Sequence, residues 1–152
     1  LLHETKGIQA FDAPVAVDVE GVRLGLVTFC RTPDEFAEKA RRAVAGGVDA
    51  LATHQAVHGS QVPGYTFREG VVGDVVGERH LPGAVRHVLC GHVHTRQVVE
   101  IGSSLAVYPG STARASIVEG AQQKGAALWT FDAAISWSFV DHADRAWVRV
   151  DD

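Results

Sequence analysis

Residues 23–53, "RLGLVTFCRTPDEFAEKARRAVAGGVDALAT", read as a strand, a helix and a second strand in that order. Leu24, Leu26, Val27 and Phe29 stand in near-continuous apolar order, which predicts a strand from Arg23 to Cys30 buried on both faces of a covered sheet. Thr32 can cap a helix, Pro33 fits a first turn where no amide bond is lost, and Glu35 completes a capping box. Phe36, Ala40, Ala43 and Val44 then share one helical face while Glu38, Lys39, Arg41 and Arg42 cover the other. Gly46-Gly47 stops the helix, and Val48 to Thr53 returns as a strand. A strand joined to a parallel strand through a helix takes a right-handed crossover, so the expected class is α/β.

Outward from this unit, Val15, Val17 and Val19 alternate with Ala16 and Asp18 and run into Glu20-Gly21, which predicts a strand turning back to meet the first. Residues 59–83 are glycine-rich and polar and read as a long surface loop. Strand character resumes at Ala84 to Cys90, Gln97 to Ile101 and Leu105 to Tyr108, then at Ala126 to Phe131, Ile135 to Val140 and Trp147 to Val150. Trp129, Trp137 and Trp147 fall on these strands as packing residues rather than base-stacking platforms. The 152 residues are of one-domain size, with 46% apolar content against 21% charge, so disorder is excluded. The balance of 14 Lys+Arg against 18 Asp+Glu gives −4, which argues against a chain-wide basic surface for nucleic acid; any such contact must be local. No stretch approaches the ~20 apolar residues of a membrane helix. Cys30 and Cys90 stand far apart without a CxxC pair and read as buried hydrophobes, which fits a reducing cytoplasm. There is no methionine, and the natural protein is expected to extend upstream of Leu1.

Three of the eight histidines share one expected position. Gly91-His92-Val93-His94 directly follows the strand ending at Cys90, and His54 directly follows the strand ending at Thr53. In open α/β sheets ligands bind at that carboxyl edge. Three imidazoles at two neighbouring strand ends suit divalent metal, the alternative being hydrogen-bonded loop histidines. His58 could reach a substrate or remain solvated. Arg96 could meet a phosphate or stay in water, and Ser111 could lie near the metals or satisfy backbone groups of a turn. Arg114 and Glu119 read as a structural pair. His3, His80, His87 and His142 lie on or beside turns and are assigned no role. Imidazoles mixed with carboxylates would suit a two-metal centre for phosphoryl transfer, but no carboxylate sits at these strand ends.

The order of "THQAVHG" at Thr53 to Gly59, "GHVH" at Gly91 to His94 and "YPGSTARASIVEGAQQKG" at Tyr108 to Gly125 resembles the calcineurin-like metallophosphoesterases. Tyr108-Pro109-Gly110-Ser111, Arg114, Glu119 and Lys124-Gly125 resemble their DNA-repair nuclease branch, the SbcD type. The resemblance covers roughly residues 15–131. It implies a layered αββα sandwich of which this chain is the strand-rich second half, residues 1–131 closing the phosphoesterase core and residues 132–152 leading toward a capping region. It implies that His54 and His92 bind one metal ion and His94 another, both manganese; His58, Arg96 and Ser111 stand beside them as the candidate substrate-binding residues of the residue reading. The implied activity is DNA exo- or endonuclease hydrolysis beside an SbcC-type ABC ATPase, in a homodimer. A general phosphoesterase acting on small esters, or a non-catalytic module with a vestigial half-site, remains open beside it. The family's Asp-x-His, Gly-Asp-x-x-Asp and Gly-Asn-His segments do not occur in these 152 residues, so no catalytic residue is assigned and the chain alone is expected to be inactive.

Overall fold

The structure, a computed structural model, describes residues 3–5, 8–120 and 122–142. It is a mixed α/β fold with one α-helix among the described residues. In chain order the elements are β1 (His3–Thr5), β2 (Ile8–Ala10), β3 (Val15–Val19), β4 (Val22–Val27), α1 (Pro33–Ala43), β5 (Ala50–Thr53), β6 (Gln61–Val62), β7 (Tyr65–Thr66), β8 (His87–Cys90), β9 (Gln97–Ile101), β10 (Ser104–Tyr108), β11 (Gly125–Phe131) and β12 (Ile135–Asp141). A six-stranded sheet in the order β3-β4-β5-β8-β10-β9 carries the fold. β4, β5, β8 and β10 run parallel, and β3 and β9 close the two edges antiparallel. All four parallel strands therefore end at the same edge, and the chain leaves that edge at Thr28, His54, Gly91 and Pro109.

The α1 start follows from local chemistry. Thr32 Oγ1 accepts the Glu35 amide at 3.2 Å, a cap of about 1 kcal/mol, and Pro33 occupies the first turn. The box is not reciprocal, however: the Glu35 carboxylate accepts from the Arg31 amide, one residue before the cap, and pairs with Lys39 at 2.7 Å. Phe36, Ala37, Ala40 and Ala43 are buried, and the helix lies against β4.

One face of the sheet, carrying Val27, Leu51, Val88, Ala106 and Tyr108, joins Phe36 and Ala40 of α1 in a single core cluster. On the opposite face Ala50 and Val107 are buried, but Leu24, Leu26, Ala52, Leu89 and Leu105 are half-buried, so the expectation that Arg23–Cys30 is buried on both faces is corrected. Periodicity could not separate the cases, because Leu on a half-open face and Leu in a core spell the same run. β4 also ends at Val27 rather than Cys30, and β8 begins at His87 rather than Ala84.

The glycine-rich stretch 59–83 is not merely a surface loop. Val75, Val76, Leu81 and, just before it, Val57 enter the core cluster, and β6 and β7 form a small hairpin within it. The excursion is fastened by Gln55, fully buried, whose Nε2 donates to the Asp74 carbonyl while its amide also bonds both the N–H and the C=O of Cys30. His80, expected at the surface, is 5% exposed; its Nδ1 accepts the Gly77 amide at 3.0 Å, which satisfies a buried donor. His87 lies on a strand rather than a turn. Cys30 and Cys90 are buried free thiols, and burial pushes Cys90 up to about 12, so neither is a nucleophile.

β11 and β12 pair antiparallel from Gly125↔Asp141 to Phe131↔Ile135, so position 131/132 falls at the turn of this hairpin. Trp129, Trp137 and Phe139 lie half-buried on one side, and Trp129 meets His87 of β8 edge to face at 6.0 Å. Trp147 to Val150 lies outside the described residues. Among the described residues, no helix is long and apolar enough to cross a membrane.

Candidate functional site

The carboxyl edge of the parallel strands gathers the three quoted motifs. His54 leaves β5, Gly91 to His94 leave β8, and Tyr108 to Ser111 leave β10. The His54 and His92 rings meet edge to face with centroids 5.2 Å apart, and Phe29 flanks His92 at 5.6 Å. Gly91 makes this approach possible: a methyl group there would lie 2.6 Å from His54 Nδ1. Partial burial first, and the proximity of His92 and His94 second, hold the His54 imidazole below its ordinary value.

His92 has φ +81, a backbone conformation that a non-glycine residue adopts only at a cost. Such outliers persist where the surroundings over-determine them, and they concentrate at functional sites. Among the described residues Glu20, in the β3–β4 turn, is the one other non-glycine with positive φ.

His94 is held differently. Its Nδ1 lies 2.9 Å from Glu119 Oε1, and its carbonyl accepts the Ser111 amide at 3.2 Å. The Pro109-Gly110 turn runs so close that a Cβ at Gly110 would come 2.9 Å from the His94 carbonyl oxygen. Glu119 Oε2 accepts from Lys124 Nζ at 2.6 Å, from the Ala115 amide and from Ser111 Oγ. Lys124 is itself fully buried and also donates to Ser111 Oγ at 2.6 Å and to Gln122 Oε1. Burial acts to raise the Glu119 carboxyl, but the hydrogen bonds from Lys124, His94 and the Ala115 amide outweigh it and bring it down to about 2. Arg114 donates to the carbonyls of Gly120 and Gln122 and so braces the same segment.

The other expected residues are placed as follows. Exposed His58 accepts the Glu69 amide on Nδ1 at 3.1 Å, which leaves Nε2 as its donor nitrogen. Ser111 faces Lys124 and Glu119. Arg96 turns under the β11–β12 hairpin, where it pairs with Asp141 and lies 4.8 Å from the Phe139 ring centroid. A groove of about 220 Å³ beside His92 and His94 is lined further by Val62, Pro63, Thr95 and Val118. Sequence reasoning missed Tyr108 as a positioning group: its buried hydroxyl accepts the Val57 amide at 2.9 Å and donates to the Gln55 carbonyl at 2.8 Å, clamping the loop that carries His54 and His58. Its position at the end of the strand that precedes Pro109-Gly110 is the sequence signal of that role.

As a donor set the three imidazoles suit a transition metal, with His54 and His92 near enough for both to approach one ion at the ~2.1 Å of a metal–nitrogen bond. They fit as part of a set: among the described residues, no three His, Cys, Asp or Glu side chains gather tightly enough to hold an ion alone. No protein-family model and no curated protein sequence matches the chain.

Proposed function

We propose that this chain carries the histidine portion of a two-metal phosphodiester hydrolase of the calcineurin-like metallophosphoesterase fold, in the DNA-repair nuclease branch. His54, His92 and His94 are its metal ligands. The observation that carries the reading is the geometry at Gly91-His92: a histidine kept at φ +81, with its ring turned onto His54 across a position where no side chain fits. A solvated loop histidine would gain nothing from that conformation, whereas a ligand must present its ring in one direction.

Two divalent cations, expected to be manganese, would supply water activation and charge neutralisation when bound. The chain's own residues do the positioning. Burial, and after it the neighbouring His92 and His94, favour the neutral form of His54, the form a ligand needs. His94 meets Glu119 Oε1 through Nδ1, so Nε2 is the nitrogen outside that contact. His58 presents Nε2–H on the same loop as His54, where it can donate to a phosphate oxygen. The groove lined by Val62, Pro63, Thr95 and Val118 offers a lodging for the group attached to that phosphate. The half-buried Leu24, Leu26, Ala52, Leu89 and Leu105 on one sheet face agree with the layered sandwich that the resemblance implies. DNA is the proposed substrate and an SbcC-type ABC ATPase the proposed partner, both from the resemblance of Tyr108 to Gly125. A non-catalytic module is the second reading, favoured by the lack of a closed three-ligand group among the described residues.

The test is a titration of the 15N-labelled 152-residue chain with millimolar Mn2+. Selective paramagnetic broadening of His54, His92 and His94, abolished by His92→Ala, is expected, without turnover of a bis-nitrophenyl phosphate ester. Uniform or absent broadening overturns the metal reading, and turnover above the His92→Ala control shows that catalytic groups were misplaced.

A further inference from the structure

The segment after β10 is costly in a way its own stability does not explain. Lys124 has no side-chain exposure and Glu119 has 7%, yet both are ionisable; Glu119 ends a single 3-10 turn, Ile117–Glu119, and Lys124 directly precedes β11. Taking two charges out of water costs several kcal/mol per ion, and an apolar pair of the same volume is often neutral or better for stability. The pair is also asymmetric. Oε2 of Glu119 takes Lys124, Ser111 and the Ala115 amide, while Oε1 meets His94. Lys124 is in turn tied to Ser111 and to Gln122, whose amide donates to Thr95 Oγ1, next to His94.

We propose that Glu119, anchored by the buried Lys124 and by Ser111, is a positioning residue for His94: it fixes the imidazole as the Nδ1–H tautomer and holds Nε2 ready for metal before any metal arrives. The inference rests on the metal reading of His94 and adds to it how that ligand is prepared. Free imidazole favours the opposite tautomer, with the proton on Nε2, so a carboxylate on Nδ1 reverses the preference and also fixes the ring plane. His54 and His92 are oriented by ring contact and backbone strain instead, so the site combines two independent devices. Ser111 is thereby a strut of this device: its hydroxyl accepts a hydrogen bond from Lys124 Nζ and donates one to Glu119 Oε2.

The experiment uses metal-free 15N-histidine-labelled chain, in which long-range proton–nitrogen correlations report the tautomer of each ring. Wild type should show His94 as Nδ1–H. Glu119→Gln and the double substitution Glu119→Gln with Lys124→Met, which removes both charges at nearly constant volume, should both shift His94 toward Nε2–H. Mn2+ affinity, read from broadening of His94, should fall about 10- to 100-fold, the usual effect of losing a carboxylate behind a histidine ligand. Amide spectra establish that the variants are folded, and the double variant provides a folded form if the single one leaves Lys124 unpaired and unstable. A His94 found as Nε2–H in wild type, or folded variants with unaltered tautomer and Mn2+ affinity, overturns the positioning role. An intact Nδ1–H tautomer with no Mn2+ broadening in any chain overturns the metal reading instead.

Discussion

Replacing His92 by glycine and by alanine separates what the residue costs from what it does. At φ +81 a Cβ-bearing residue carries about 1–2 kcal/mol of strain that glycine does not. Glycine returns about 0.5–1 kcal/mol of this through the greater freedom of its unfolded chain. The glycine variant should therefore exceed the alanine variant by about 0.5–1 kcal/mol. Both lose the ring contacts to His54 at 5.2 Å and Phe29 at 5.6 Å, and for a half-buried ring that loss lies at the low end of the ~0.5–1.5 kcal/mol of an aromatic pair. His92→Gly should thus match wild type to within about 0.5 kcal/mol, while His92→Ala falls about 0.5–1 kcal/mol below it. Urea denaturation reads the difference as a shift in midpoint at constant slope. Both variants should abolish Mn2+ broadening at His54. An alanine variant as stable as the glycine variant refutes the strain assignment, and Mn2+ broadening retained in either refutes the ligand assignment.

Tyr108→Phe keeps the buried ring but strips the partner from the Val57 N–H and the Gln55 C=O, each costing ~1–3 kcal/mol when left unsatisfied, so a loss of about 2–6 kcal/mol is expected in urea, with faster amide exchange at residues 55–58; a loss under about 0.5 kcal/mol sinks the clamp. Glu119 binds its proton more weakly folded (about 2) than unfolded (4.5), so its stabilisation is complete above pH 4.5 and is lost as pH falls toward 2; His54, also depressed on folding, adds a smaller loss below 6.5, because only the unfolded chain readily takes that proton. Thermal midpoints across this range check both, and Glu119→Gln should flatten the acidic step but leave the step below 6.5.

The β4-α1-β5 unit was readable because its signals are local. Thr32, Pro33 and Glu35 act within one turn, and the apolar face of α1 repeats every three to four residues. The positions of His54, His92 and His94 were readable for a related reason, since a parallel strand delivers whatever follows it to one edge of the sheet. The rest depends on contacts between residues far apart in sequence. Arg96 meets Asp141 across 45 positions, and Tyr108 meets Gln55 across 53, so neither partner could be named from the chain. Lys124 was visible as a family-like residue, but its burial follows from the return of the 111–124 segment onto His94. Residues 59–83 were read as loop from their glycines, yet the pairing of Val57 with Val76 draws the excursion's valines into the core.

Where the chain departs from local rules also bears on function. A sequence that specifies one fold obeys propensity, packing and polar satisfaction together, and violations that persist tend to mark functional sites. Away from the carboxyl edge the helix is capped and buried Gln55 and His80 have partners, and the departures there are scattered: Glu20 at positive φ in a turn, close glycines at 77, 102 and 125, and buried nitrogens of Arg23, His87 and Arg96 without a protein partner. At that edge three departures coincide. His92 occupies a left-handed backbone, Gly91 and Gly110 leave no room for a methyl group, and Lys124 and Glu119 carry charge into a site with almost no exposure. Two of them could be relieved by an ordinary substitution: asparagine or glycine at 92, or an apolar pair at 119 and 124. The first relief removes an imidazole from His54 and the second removes the carboxylate from His94. The three costs therefore converge on orienting three imidazoles, which is the requirement of metal ligands and is not required by the packing of the sheet.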